Sequence, residues 1–337
     1  MKPTDFSKYV SDFFGKYLPG ERGVSPNTIV AYKHTFILLI IFMEEKRAVK
    51  MKNLTIGHLT KEIVVEFLDW LQKTRGSSNS TRNARLAALR SFFCFLQYHA
   101  VEYSYESQRI LSIKNKKTEQ KTITYLTVEG IALILRQVNS STMSGRRDLA
   151  LLSLMYDIGA RVQEVVDLTP SSIRFDKPYI IKIRGKGNKV RIVPMLDTQV
   201  EHLKNYMVEN HLMEPYANQY PLFCNKCKER LTRGGITHIL LKYVRMAREK
   251  SPSLIPEGIS CHSLRHSKAM HLLQANVPLI YIRDFLGHAS VTTTEIYARA
   301  DSKQKREAIE NAYAEILPEE SPIWINNENL LDWLKNL

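Results

Sequence analysis

The stretch "YIIKIRGKGNKVRIVPM", Tyr179 to Met195, alternates apolar and basic residues around Gly185, Gly187 and Asn188. Alternation of period two sends successive side chains to opposite faces, and the Gly/Asn centre supplies the turn, so the stretch reads as a β-hairpin. It is the one clear interruption in a chain whose other segments carry helical periodicity. The fold class follows: mainly α with a small antiparallel sheet. The hairpin carries Lys182, Arg184, Lys186, Lys189 and Arg191. Five cations on a short ribbon repel one another unless a polyanion lies alongside; the competing reading is a basic, solvated edge strand that discourages aggregation.

Outward from the hairpin, 337 residues allow two domains, and 44% hydrophobic residues give each a core. Lys and Arg outnumber Asp and Glu by 48 to 34, a net charge of +14 that puts nucleic acid ahead of an anionic membrane as partner. The longest apolar run, "FILLIIFM" from Phe36 to Met43, is far shorter than the roughly 20 residues a bilayer span needs, and no signal-peptide pattern opens the chain. A soluble cytoplasmic protein without a membrane partner is expected. Cys94, Cys224, Cys227 and Cys261 are too few and irregular for a disulfide framework. "CNKC" has zinc-ribbon spacing but lacks a second pair of ligands, so a loop with two thiols is preferred to a metal site.

The first hundred or so residues read as all-helical. Ser25 is placed as N-cap and Pro26 at the first position of "SPNTIVAYKHTFILLIIF", and Thr60 caps "KEIVVEFLDWLQ". A further helix is expected over about Thr81 to His99, with its apolar stripe through Leu86, Leu89, Phe93 and Leu96. Arg82, Arg85 and Arg90 crowd its first half, either as a solvated face or as phosphate contacts. "IKNKKTEQKT", Ile113 to Thr122, is polar and aperiodic and reads as an interdomain linker. Helices resume after Thr127, an N-cap for "VEGIALILRQV".

The functional question sits in "HSLRHSKAMHLL", His262 to Leu273. At roughly 100° per residue, His262, Arg265, His266, Ala269, Leu272 and Leu273 share one face, so the basic turn points with the apolar stripe toward an enclosed place. A helix N-terminus there favours an anion. In "IGARVQEVVDL", Gly159 ends an apolar helix and Arg161 shares a face with Val165 and Leu168; pairing with Glu164 leaves a structural and a catalytic role evenly matched. "FLGHASVTTTEIYA" sets His288 after a Gly turn and Tyr297 nine residues on, a tyrosine that alone reads as core. Together these groups supply two forks for phosphate oxygens, a base, a proton donor and a nucleophile, which is what attack on a phosphodiester needs without a metal.

In this order and spacing, with Arg161 in "GARVQEV", Lys186 in "GKGNKVR", His262 and Arg265 in "HSLRH", His288 in "LGH" and Tyr297 in "TEIY", the chain resembles the tyrosine recombinase (phage integrase) family, Xer-like members included. The preceding region, with "SPNTIVAY" and "STRNARLAALRSFF", is similar to that family's core-binding domain, so the resemblance spans nearly the whole chain. Two departures are Gly-Ala-Arg161, where the family often has Gly-Leu-Arg, and Ala298-Arg299, where Thr-His often follows the tyrosine. Neither removes a reacting group.

The resemblance implies an all-helical, SAM-like core-binding domain at 1–112, a linker at 113–123, a mixed α+β catalytic domain at 124–317 and a tail at 318–337. In that tail Leu330, Trp333, Leu334 and Leu337 form one face of a short helix that docks in cis or on a neighbouring protomer. It implies a site-specific DNA recombinase, of integrase or transposase type, working through a 3′-phosphotyrosyl intermediate with no metal, ATP or other cofactor. The partner is double-stranded DNA with paired core sites; the oligomer is a dimer on one site and a tetramer in the synapse, nucleoid-associated in a prokaryote.

Tyr297 is then the nucleophile, Arg161 and Arg265 the phosphate forks, His262 the group placed for proton transfer, Lys186 the general acid and His288 a phosphate ligand. Glu164 steers Arg161, and Arg82, Arg85, Arg90, Lys182, Arg184, Lys189 and Arg191 contact DNA. His266 supports His262 or fills space, the second being preferred for a histidine on a buried face. A type IB topoisomerase and a DNA-binding module with a vestigial site stay open as alternatives. A metal hydrolase on His262 and His266 is opposed by Ser263, where the zincin pattern needs glutamate.

Overall fold

The computed structural model describes residues 3–119, 123–300 and Lys335. The expected tail helix, Lys335 apart, and the end of the expected catalytic region lie outside the described residues. The chain divides into two compact units, Met1–Lys121 and Thr122–Leu337.

Unit 1 is helical: α1 Asp5–Asp12, α2 Pro26–Arg47, α3 Lys61–Lys73, α4 Asn79–His99 and α5 Ser104–Leu111, with a π-helical stretch, Phe13–Glu21, following α1. The starts follow from capping chemistry. Ser25 precedes Pro26 at the first helical position, and the side chains of Thr60 and Ser78 accept from the backbone N–H of Ile63 and Thr81. The core is aromatic, with Phe92 meeting Phe13 and Phe36 edge-on at 5.2 and 5.1 Å. Truncating such a ring costs about 3–5 kcal/mol. By length and composition α2 could cross a membrane, yet Phe36, Leu39, Phe42 and Met43 are buried in this core.

The arginines of α4, expected to meet phosphate, are engaged with neighbouring groups of unit 1. Arg82 is buried and donates to Asn83 at 3.3 Å; Arg85 reaches α2, donating to the Ala31 carbonyl at 3.0 Å and to Thr35 at 3.2 Å. Arg90 donates to the Ile113 carbonyl and to Asn115. A helix this crowded with apolar residues buries its arginine stems too; terminal nitrogens find oxygens nearby, while the buried Nε of each of the three has no hydrogen-bond partner. The start of the segment read as an interdomain linker is strapped to unit 1. Asn79 and Asn83 donate to the Lys117 and Lys116 carbonyls at 2.7 and 2.8 Å, and Asn83 accepts from the Lys116 N–H.

Unit 2 contains α6 Val128–Arg136, α7 Met143–Asp157, α8 Val162–Val166, α9 Asp197–Glu209, α10 Arg233–Lys250, α11 Cys261–Gln274, α12 Leu279–Leu286 and α13 Thr292–Ala300. Three strands, β1 Ile173–Arg174, β2 Ile180–Arg184 and β3 Val190–Pro194, form an antiparallel sheet in the order β1-β2-β3. β1, two residues long, has no periodicity to read. The mainly α fold with a small antiparallel sheet is as the sequence indicated.

The hairpin alternates as read on β2, where Ile181 and Ile183 are buried and Lys182 and Arg184 exposed. On β3 the alternation is inverted. Arg191 pairs with Ile183 in the register and shares the inner face with buried Val193, while Val190 and Ile192 are exposed. An arginine turned inward needs an anion, and the candidate site provides it.

Candidate active site

Each motif is placed by a local device. Arg161 is the N-cap of α8, and Glu164, at the third helical position, reaches back to its backbone N–H at 2.8 Å and accepts from its guanidinium at 2.9 Å. The same carboxylate receives both terminal nitrogens of Arg191, at 2.9 and 2.8 Å. Burial raises the proton affinity of Glu164, but the Arg191 fork and the Arg161 contacts outweigh it, holding the carboxyl below its usual range. Glu164 is therefore an ionised bracket between two arginines.

Arg191, read as a DNA contact, forms a bidentate pair with the buried Glu164 carboxylate inside unit 2. It also fills the space beside Gly287. A Cβ at Gly287 would lie 2.9 Å from Arg191 Cδ, and its φ of +65° favours glycine as well. Gly287 closes α12 in the left-handed conformation and directs the chain into His288. Lys182, Arg184 and Lys189 are exposed. Lys186 lies in the hairpin turn, where Gly187 has a φ of +73°.

α11 is the hub, packing on α7, α10, α12 and α13. Arg265, 3% exposed, donates to the carbonyls of Gly159 at 2.7 Å and Leu286 at 2.6 Å. Those carbonyls stand two residues before Arg161 and His288, so one guanidinium ties both motifs to α11. Burial, then the nearby charge of Arg161, bring Arg265 down to about 9, which leaves it cationic at neutral pH. His262 is exposed at the first turn of α11; desolvation, then Arg265 and Arg161, lower its proton affinity.

Tyr297, on α13, is 1% exposed. Burial raises its pKa while Arg265 and Arg161 oppose the rise. Its ring lies nearly parallel to that of His288, with centroids 6.4 Å apart, and His288 Nδ1 is 2.9 Å from the Thr294 hydroxyl. The phenol oxygen is 3.0 Å from Nδ1 of His266. This corrects the preferred reading of His266 as a filler: it is the imidazole hydrogen-bonded to the tyrosine. Spacing alone could have hinted at it, since His266 lies one turn beyond His262 on the same face.

The structure thus gathers Arg161, Glu164, Arg265, His262, His288 and Tyr297 in unit 2 and adds Arg191 and His266; Arg82, Arg85 and Arg90 belong to unit 1. Among the described residues, no group of three or more His, Cys, Asp or Glu side chains is placed to hold a metal ion, and Cys224 and Cys227 are free thiols. The arrangement can hold a phosphate between arginines beside a phenol.

Comparisons with known proteins identify the family. A family model described as "Phage integrase family" matches residues 124–304, and "Phage integrase, N-terminal SAM-like domain" matches 12–99. The integrase/recombinase y4rC of Sinorhizobium fredii (strain NBRC 101917 / NGR234) is 32% identical over 336 residues, covering 100% of this chain and 99% of its own. Tyrosine recombinase XerD of Oceanobacillus iheyensis is 31% identical, covering 86% and 92%. Among solved structures, XerH site-specific recombinase bound to palindromic difH substrate, a post-cleavage complex, aligns with a TM-score of 0.67 at 26% identity, covering 86% of this chain and 80% of that one.

Proposed function

This chain belongs to the phage integrase family, the tyrosine recombinases, and on that premise we propose that Tyr297 is its nucleophile toward double-stranded DNA. It is a site-specific recombinase, an enzyme that breaks and rejoins DNA strands. The topoisomerase and vestigial-site readings give way, because relatives that span most or all of the chain are named recombinases.

In the proposed reaction the phosphodiester enters between Arg161 and Arg265, whose planar N–H groups stabilise the charge of the transition state. The Tyr297 oxygen bonds to phosphorus, the bond to the 5′-oxygen breaks, and the chain holds the DNA by a 3′-phosphotyrosyl link. Lys186, in the hairpin turn, protonates the leaving 5′-oxygen, and His288 hydrogen-bonds the phosphate. Because the tyrosyl ester keeps the energy of the broken bond, attack by a partner 5′-hydroxyl rejoins DNA without ATP. Three cationic side chains supply the positive charge, so no metal or other cofactor enters the scheme. Paired core sites, a dimer on each and a tetrameric synapse, in the cytoplasm, complete it. The structural neighbour XerH, solved on its difH substrate, supports DNA as partner.

The observation that carries the assignment is that Arg265 fastens the Arg161 and His288 motifs while the Tyr297 ring lies against His288. The test starts from sites selected by binding from random duplexes. A selected site, nicked so that the cleaved end diffuses away, should trap a protein–DNA adduct that survives denaturation, and Tyr297→Phe should abolish the adduct while binding persists. An adduct with the Phe variant would move the nucleophile elsewhere.

A further inference from the structure

The histidine against the nucleophile is not the one that opens the "HSLRH" motif. His262 is exposed at the first turn of α11; one turn further on, His266 faces α13 and its Nδ1 lies 3.0 Å from the Tyr297 oxygen. The two histidine rings are 6.2 Å apart, and the His266 and Tyr297 rings 5.7 Å. The geometry points to His266 as the catalytic base that takes the Tyr297 proton when the phenol attacks phosphorus. This rests on the assignment of Tyr297 as nucleophile.

The proton balance is closed within the site. With its own proton on Nε2, His266 presents the Nδ1 lone pair to the tyrosine hydroxyl, which donates. As the phenol oxygen bonds to phosphorus, its proton passes to Nδ1, and the leaving 5′-oxygen takes a proton from Lys186. When a 5′-hydroxyl later attacks the phosphotyrosine, the imidazolium returns its proton to the departing phenol oxygen and Lys186 recovers its own. No outside acid or base is consumed.

Two features suit His266 to this task. Burial, then His262 and Arg265, push its pKa down to about 4, so it rests neutral with a free lone pair. A phosphate arriving between Arg161 and Arg265 brings negative charge that raises the proton affinity of a neighbouring imidazole as attack begins. Tyr297 is buried away from solvent, so His266 rather than bulk water meets its hydroxyl.

The decisive variant is His266→Asn, whose carbonyl oxygen can accept a hydrogen bond near the Nδ1 position but cannot carry off a proton. It is compared with the native chain, His262→Asn and Lys186→Ala, each checked for thermal midpoint and DNA binding, in single-turnover cleavage of the nicked selected duplex. Two substrates are used, one with an ordinary phosphodiester and one with sulfur at the 5′-bridging position, which leaves without protonation. His266→Asn should lose about a hundredfold or more on both substrates, because activation of the nucleophile is needed in each. Lys186→Ala should lose rate only on the ordinary one, and His262→Asn should lose less than His266→Asn. If His266→Phe but not His266→Asn loses rate, the histidine only positions the phenol and the proposal fails. It fails also if His266→Asn cleaves within about threefold of native, or if sulfur restores it. Tyr297→Phe is run alongside; an adduct there would sink the nucleophile assignment itself, a result separate from either failure.

Discussion

Two sets of arginines turned toward the protein differ in what surrounds them. On α4, Arg82, Arg85 and Arg90 are held by neutral oxygens: an asparagine side chain, a threonine hydroxyl and backbone carbonyls. In unit 2, Arg161 and Arg191 share one carboxylate, and Arg265, though it too donates to carbonyls, sits among Arg161, Arg191 and a tyrosine. Buried arginine alone therefore says little about phosphate. What distinguishes the site in unit 2 is that its cations stand beside groups that can exchange protons.

The contrast can be broken most sharply at Arg265. Arg265→Lys keeps the charge but cannot span both the Gly159 and Leu286 carbonyls, and it loses the planar fork. We expect single-turnover cleavage to fall about 100- to 1,000-fold with DNA binding largely retained. Cleavage near the native rate would mean that Arg265 is another structural arginine like those of α4.

Arg191→Met comes next. It removes two of the bonds to a buried carboxylate, which should cost about 3 kcal/mol in denaturant unfolding and slow cleavage by releasing Arg161. Adding Glu164→Gln should recover much of the stability, since the uncompensated charge is gone, without recovering cleavage. Losses that simply add would show that the two side chains are not acting as a pair.

A smaller effect concerns acid. His266 and His288 are each pushed down to about 4 from an ordinary value of 6.5, burial being the first cause. Between those values the unfolded chain takes up protons that the folded chain refuses, so the stability tied to keeping them neutral is whole above pH 6.5 and is lost as pH falls toward 4. The thermal midpoint should decline across that window, and less steeply in His266→Asn. An equal slope in the variant would contradict a buried, neutral His266.

The smallest effect is expected on α4. Arg85→Met should lower thermal stability slightly and leave the salt dependence of DNA binding unchanged. Alanine at Lys182, Arg184 or Lys189, all exposed on the hairpin, should each flatten that slope by about 0.9. A flatter slope in Arg85→Met would return α4 to the DNA-contacting surface.

These contrasts also mark how far the sequence could be read. Helix starts at Thr60 and Thr127 were legible because a cap is a contact over three residues, that at Pro26 because proline suits the first helical position, and the hairpin because alternation and turn residues are local. The inward turn of Arg191 was not, since β3 exposes Val190 and Ile192 and turns the partly buried arginine inward, reversing the usual pattern. Its reason, Glu164, lies 27 positions away. His266 was seen as facing inward, but its partner stands 31 positions on, and periodicity does not reveal which buried neighbour a histidine meets. Nor were the acceptors of Arg85 and Arg90 legible, since those on α2 and in the segment after α5 are set by packing.

The central claim is that the cations of unit 2 serve a phosphate attacked by Tyr297, and it is tested most directly by finding where the DNA becomes attached. The nicked selected duplex is cleaved by the native chain, the adduct is digested with protease and nuclease, and the modified peptide is sequenced by mass spectrometry. A nucleotide 3′-phosphate on Tyr297, within "TEIYARA", is expected. A phosphate on any other residue, or cleavage without a protein-linked end, would contradict it.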